Sequence, residues 1–131
     1  MTSHADYVRT LYAAFGRGDL KFILENCDPA IEWVSNGAVD DIPWGGTRTG
    51  TSGTESFFHL LAEYLDFEVF EPREFFEAGN AVIVRGFTRA RVKRHGTFES
   101  GWVHIFTVRN GKVARFEEYY DTAAIKRALA A

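Results

Sequence analysis

An acid and a phenol on one strand can hold or move a proton on a bound molecule. The segment Arg115-Phe116-Glu117-Glu118-Tyr119-Tyr120-Asp121 carries two Glu and two Tyr in an alternating pattern. A strand of this composition is either half solvated or lines a cavity, and only the second makes a small-molecule site. Glu118, which alternates with Phe116 and Tyr120, is the first candidate for a general acid or base. A salt bridge to an arginine such as Arg85 would make it structural instead. His104 is a candidate general base near neutral pH, or a buried and hydrogen-bonded histidine of a sheet. Glu99, close to a strand start, is a further candidate acid or a solvated carboxylate. Tyr12 and Tyr120 can donate to a ligand oxygen or serve as core aromatics. Trp33 and Trp44 can wall or cover a pocket mouth, since a Gly-flanked Trp in a long loop is hard to explain as plain core. Asp40 and Asp41 read as a solvated turn, Asp121 as the N-cap of the last helix and Arg48 as structural.

The chain has 131 residues, which predicts one domain over 1–131 with a single core. Hydrophobic residues make up 46%, with twelve Phe, five Tyr and three Trp, which favours large apolar walls around a pocket or interface. The net charge is -3 and the arginines are scattered, which excludes nucleic acid as the expected partner. No apolar run reaches the ~18 residues of a membrane span. Residues 1–6 show no basic region followed by an apolar run, so no secretory leader is expected. The lone Cys27 cannot form an internal disulfide and fits a reducing, cytoplasmic setting. Four His and one Cys have no metal-ligand spacing, and neither a metal nor another cofactor is expected.

The elements that must position these groups are helices first, then strands. Apolar spacing predicts a helix over 6–15, a short one over 19–24 capped by Asp19, and a third over 51–65. Residues 30–34 read as a short strand and 35–50 as a loop. Residues 67–77 read as a strand or strand pair interrupted by Pro72. Turns at 78–80, 95–96 and Asn110-Gly111 then separate strands over 81–92, 97–108 and 113–120, and a last helix covers 122–129. This order predicts an α+β fold with the helices on one face of a curved antiparallel sheet. In 81–93 the small apolar set Val82, Val84, Gly86, Thr88, Ala90 and Val92 faces the core and leaves room for a ligand. Arg85, Arg89, Arg91 and Lys93 face away.

The element order resembles the NTF2-like superfamily, and within it the SnoaL-like polyketide cyclases and ketosteroid-isomerase-related proteins. The resemblance is carried by Phe15-Gly16-Arg17-Gly18-Asp19, Ile31-Glu32-Trp33, Arg48-Thr49-Gly50, Gly111-Lys112-Val113 and Glu118-Tyr119-Tyr120-Asp121. It implies a cone, in which a curved sheet wraps the N-terminal helices around an internal apolar pocket. In ketosteroid isomerases the acidic oxyanion donor would fall at Val103, the general base at Trp33 and the tyrosine at or beside Leu11, with Tyr12 the nearest phenol. The base and the acidic donor are therefore replaced by apolar residues, and that proton shuttle is not expected. In limonene-epoxide-hydrolase-like members one catalytic carboxylate would fall at Glu118 and an Arg-x-Asp at Arg85-Gly86-Phe87, which lacks the acid.

The family register implies that Glu99, Gly101, Val103 and Ile105 point inward, with Phe116, Glu118 and Tyr120. Trp102, His104, Phe106 and Val108 then face the other side. They are too apolar for water there, which implies a homodimer through the sheet face. A one-residue slip would exchange the two sets. Two functional classes follow. One is a cofactor-free isomerase, cyclase or hydrolase acting on a small apolar oxygenated molecule, with Glu118, His104 or Glu99 as acid or base and Tyr12, Trp33, Trp44, Val84, Val103, Phe116 and Tyr120 around the ligand. The other is a ligand-binding or dimerisation module without catalysis. A pocket whose polar groups are all paired internally favours the second.

Overall fold

A computed structural model describes residues 3–131; Met1 and Thr2, part of the N-terminal stretch read above for a leader, lie outside the described residues. Helices α1 (His4–Gly16) and α2 (Leu20–Glu25) come first, then strands β1 (Cys27–Ser35) and β2 (Gly46–Thr49), helix α3 (Gly50–Tyr64), strands β3 (Leu65–Ala78), β4 (Ala81–Val92), β5 (Thr97–Arg109) and β6 (Lys112–Tyr120), and helix α4 (Thr122–Ala130). The helix starts follow local chemistry. Side-chain oxygens of Ser3, Asp19 and Asp121 accept from the amides of Asp6, Phe22 and Ala124, each satisfying a free N–H of a first turn. Asn110 and Gly111 both take positive φ, 52° and 75°, as the tight turn between β5 and β6 requires.

The strands form one six-stranded sheet in the order β2-β1-β6-β5-β4-β3. It is antiparallel except where β1 runs parallel to β6, with Trp33 opposite Phe116 and Ser35 opposite Glu118. The α+β architecture is therefore as the element order predicts, with one parallel pair in place of a wholly antiparallel sheet. Strand β2 occupies part of the predicted loop. Its four residues, Gly46 to Thr49, show no apolar alternation, and it forms because they pair with Glu32 to Ser35. Pro72 does not interrupt β3, because β3 is an edge strand and the register shifts between Pro72 and Glu74.

The inner face of β4 is the predicted one: Val82, Val84, Thr88, Ala90 and Val92 are buried, while Arg85, Arg89 and Arg91 are exposed. Strand β5 is the opposite of what the family register implied. Val84 pairs with His104, Val82 with Phe106 and Thr88 with Ser100, so Trp102, His104, Phe106 and Val108 point inward and are buried. Glu99, Gly101, Val103 and Ile105 point outward. The reason is burial: two large aromatics, a Val and an imidazole gain far more from the core than Glu99 and Gly101 could. The apolar strip assigned to a dimer interface is thus the wall of the interior.

One close approach fixes that wall. Gly86 sits opposite Trp102, and a Cβ at Gly86 would overlap the Trp102 ring and the Glu71 carbonyl. The missing side chain lets the indole lie flat against β4, where its Nε1 donates to Thr88 Oγ1 at 2.8 Å. The Trp102 ring in turn stacks on the His104 imidazole with centroids 3.8 Å apart. Helix α1 presses Val8, Leu11 and Ala14 onto this interior, and α3 adds Phe57.

Candidate functional site

Five polar side chains join inside the aromatic shell. The Tyr12 hydroxyl lies 2.8 Å from His104 Nδ1. His104 Nε2 lies 3.5 Å from Glu118 Oε2. Ser35 Oγ donates to Glu118 Oε1 at 2.7 Å, and the Tyr120 hydroxyl lies 2.6 Å from Ser35 Oγ. Each comes from a different element or strand position: Tyr12 from α1, Ser35 from the end of β1, His104 from β5, and Glu118 and Tyr120 from β6. The strand registers bring them together, since His104 pairs with Glu118 and Ser35 with Glu118. Asn36 locks the β1 end: its amide N–H donates to the Glu118 carbonyl, its Nδ2 to the Tyr120 carbonyl, and its Oδ1 accepts from the Tyr120 amide.

The cluster is dry. The side chains of His104 and Glu118 are 8% and 13% exposed. A carboxylate only accepts hydrogen bonds, so the His104 proton sits on Nε2 facing Glu118, and Nδ1 accepts from the Tyr12 hydroxyl. Burial is the first cause of a lowered His104 pKa, only partly offset by the bond to Glu118 and its charge. Burial, then the Glu118 charge, holds the Tyr12 phenol well above its ordinary value. The same two causes push Tyr120 up to about 12. Two neutral phenols, a neutral imidazole and a serine therefore surround a single carboxylate, with no arginine or lysine among its partners.

Two spaces meet at this pair. The larger, with a cavity volume of about 70 Å³, is lined by Leu11, Tyr12, Phe15 and Ile23 from the helices, by Trp33 and Phe116 from the sheet, and by Phe57, Phe58 and Leu61 from α3. The second, about 60 Å³, lies on the side of Trp44, Phe98, Ser100, Trp102 and Tyr120. Leu61, Phe70, His104 and Glu118 line both. Trp44 is 2% exposed, and its loop is held by Arg48, whose guanidinium donates to the carbonyls of Pro43, Trp44 and Gly45. Arg48 is structural, as expected.

Of the residues singled out by sequence, Glu118, His104, Tyr12, Trp33, Trp44, Phe116 and Tyr120 line these spaces. Glu99 and Val103 do not. Glu99 pairs with Arg89 on the outer face at 2.8 Å, and Val103 points outward because β5 is shifted by one residue from the implied register. The inward side chain beside Val103 is His104. Val84 is fully buried but packs within the core rather than on either space. Arg85 pairs with Glu74 on the outer face, so it neither neutralises Glu118 nor completes an epoxide-hydrolase set. Ser35 was missed, although it continues the inward alternation Ile31, Trp33, Ser35 along β1. Among the described residues no group of three or more His, Cys, Asp or Glu could hold a metal ion, and no helix is long and apolar enough to cross a membrane.

The chain has been compared with known proteins. The SnoaL-like domain family matches residues 8–116, a span that includes Tyr12, Ser35 and His104 and ends two residues before Glu118. An NTF2-like protein from Burkholderia xenovorans LB400 is 37% identical, with 95% of this chain and 94% of that one covered and a TM-score of 0.86. An NTF2-like protein from Burkholderia pseudomallei K96243 is 27% identical over all of both chains, with a TM-score of 0.90. TerC, crystallised with polyporic acid, is 30% identical, with 98% of each chain covered and a TM-score of 0.87. No curated protein matches the chain.

A histidine whose folded pKa lies below its ordinary 6.5 makes stability depend on pH. The unfolded chain takes up the proton first, so stability is complete above 6.5 and falls as pH drops through the window below that value. In urea unfolding, the midpoint of the wild type should fall between pH 7.5 and pH 5 by more than that of His104→Asn. Equal falls in the two proteins would show that His104 does not carry this dependence.

Proposed function

The chain belongs to the SnoaL-like domain family and has the NTF2-like fold, and on that premise we propose that it binds a small apolar oxygenated molecule and performs acid/base chemistry on it without a cofactor. The observation that carries this reading is a carboxylate, Glu118, held between two apolar spaces by neutral donors alone. Its Oε1 is well bonded to Ser35. Its Oε2 has only the 3.5 Å contact to His104, longer than a good hydrogen bond, and so keeps capacity for a substrate proton. Glu118 would remove a proton beside a carbonyl, and the resulting enolate would recover one from the same carboxyl group. The Tyr12–His104 pair, neutral and buried, would position the carboxylate and supply a polar edge in a dry site. Co-crystallisation of TerC with polyporic acid supports a small oxygen-bearing organic molecule as the kind of occupant a chain this similar can take.

A second reading keeps the pocket and drops the reaction. Tyr12, His104, Glu118, Ser35 and Tyr120 already contact one another in one chain, as the polar groups of a binding module would. Glu118→Gln separates the two readings. In D2O, with 2-tetralone as probe, the wild type should accelerate exchange of the protons beside the carbonyl. The variant should lose roughly 10²-fold or more of that rate with its melting temperature little changed. Full exchange in a folded variant, or no acceleration by the wild type, supports the binding module.

We also propose a homodimer through the outer sheet face, on residues other than those first expected. Ile83, Phe87, Val103 and Ile105 form a half-buried apolar strip there, bordered by Phe76 and Tyr119, which are 46% and 42% exposed. Sedimentation of the native protein should give a dimer mass, and Ile105→Arg should shift it toward monomer. A monomeric native protein would reject the interface.

A further inference from the structure

Among the described residues, one buried side-chain polar atom has no hydrogen-bond partner: the indole Nε1 of Trp33. Trp33 is 5% exposed and forms part of the wall of the larger cavity. Its ring stacks on Phe116 with centroids 4.0 Å apart and packs against Phe57 and Phe58. A buried donor without an acceptor loses its bond to water and gains nothing, so native structures rarely keep one without a reason. The other inward tryptophan of the sheet, Trp102, is satisfied by Thr88. Phenylalanine would give the same aromatic wall without a stranded N–H. Trp33 also stands one inward step along β1 from Ser35, as Phe116 stands one step along β6 from Glu118. Its backbone is therefore roughly 7 Å from the polar cluster along the strand.

We propose that the Trp33 indole N–H is a ligand-binding donor, and that the molecule in the cavity carries an acceptor oxygen, a carbonyl or an ether, apart from the group that meets Glu118. The ligand class is narrowed to an apolar, ring-bearing molecule with two oxygen functions. The inference rests on the preceding reading only in that the cavity takes a small organic molecule.

The test uses two probes of nearly the same shape, 2-acetylnaphthalene and 2-isopropenylnaphthalene, which differ by C=O against C=CH2. The wild type should bind the ketone about tenfold tighter, the size of one neutral hydrogen bond to a buried donor. In protein labelled with ¹⁵N, the Trp33 indole resonance should move with the ketone and stay in place with the alkene. Trp33→Phe should abolish the preference while keeping the ring. Equal affinity for the two probes, including no binding of either, would overturn the proposal. So would an unmoved indole resonance, or a preference that survives in Trp33→Phe and therefore belongs to another donor. If Trp33→Phe does not fold, the wild-type resonance, assigned through its contacts to Phe116, still decides. Glu118→Gln keeps the two ideas apart: a variant that loses proton exchange but keeps the ketone preference leaves the Trp33 assignment standing, and the reverse removes it alone.

Discussion

A carboxylate in an aromatic interior is costly unless donors meet it, and Glu118 imposes that condition on the whole fold. Its donors cannot come from neighbours in sequence. Ser35 lies 83 positions away and Tyr12, through His104, reaches it from the first helix. The parallel β1–β6 pair is what puts Ser35 opposite Glu118, and the β5–β6 register is what puts His104 there. A one-residue slip at either pairing would send one donor to solvent and leave the carboxylate short of a partner. Burial holds both phenols and the imidazole to their neutral forms, with the Glu118 charge adding to it at the phenols and opposing it at His104, so the site has one charge and four neutral groups around it.

The aromatic shell serves the cluster as well as the core. Trp102 lies flat on His104 because Gly86 leaves room for it, and Thr88 pins the indole in place. Tyr12 lies nearly coplanar with His104 at its Nδ1 edge, with centroids 5.9 Å apart, so rings hold the imidazole on one face and at one edge. Rings with few rotamers give up little entropy on ordering and fix direction well. The Trp44 loop adds no charge to the site. It is tied back by Arg48 through three backbone carbonyls, which spends the arginine on structure and leaves Glu118 without a cation.

Much of this was legible in the residues. Helix caps at Asp19 and Asp121, the Asn110-Gly111 turn and the inward set of β4 follow from local chemistry and alternation, and the structure has them. Strand β5 was where the implied register misled. Its own pattern, Trp102, His104, Phe106 and Val108 against Glu99, Gly101, Val103 and Ile105, already marked the first set as interior, but the alignment to ketosteroid isomerases placed it outside. Hydrophobic burial is the stronger constraint on a strand with two unequal faces. Strand β2 was illegible because a four-residue polar edge strand carries no period, and its existence depends on the partner that pairs with it. Ser35 was read as the first residue of a loop: one more step of the Ile31, Trp33 alternation would have placed it inward, but only the pairing of distant strands shows that it faces Glu118.

The central claim is that Glu118 and His104 form one buried unit. A double-mutant cycle with Glu118→Leu and His104→Phe, read by urea unfolding at pH 7.5, tests it. Each single change strands the other polar group in an apolar interior, whereas the double change strands neither of the two against the other. The account predicts that the double variant is less destabilised than the sum of the singles by at least about 1 kcal/mol. Additive effects, within the ~0.3–0.5 kcal/mol expected of independent sites, would contradict it.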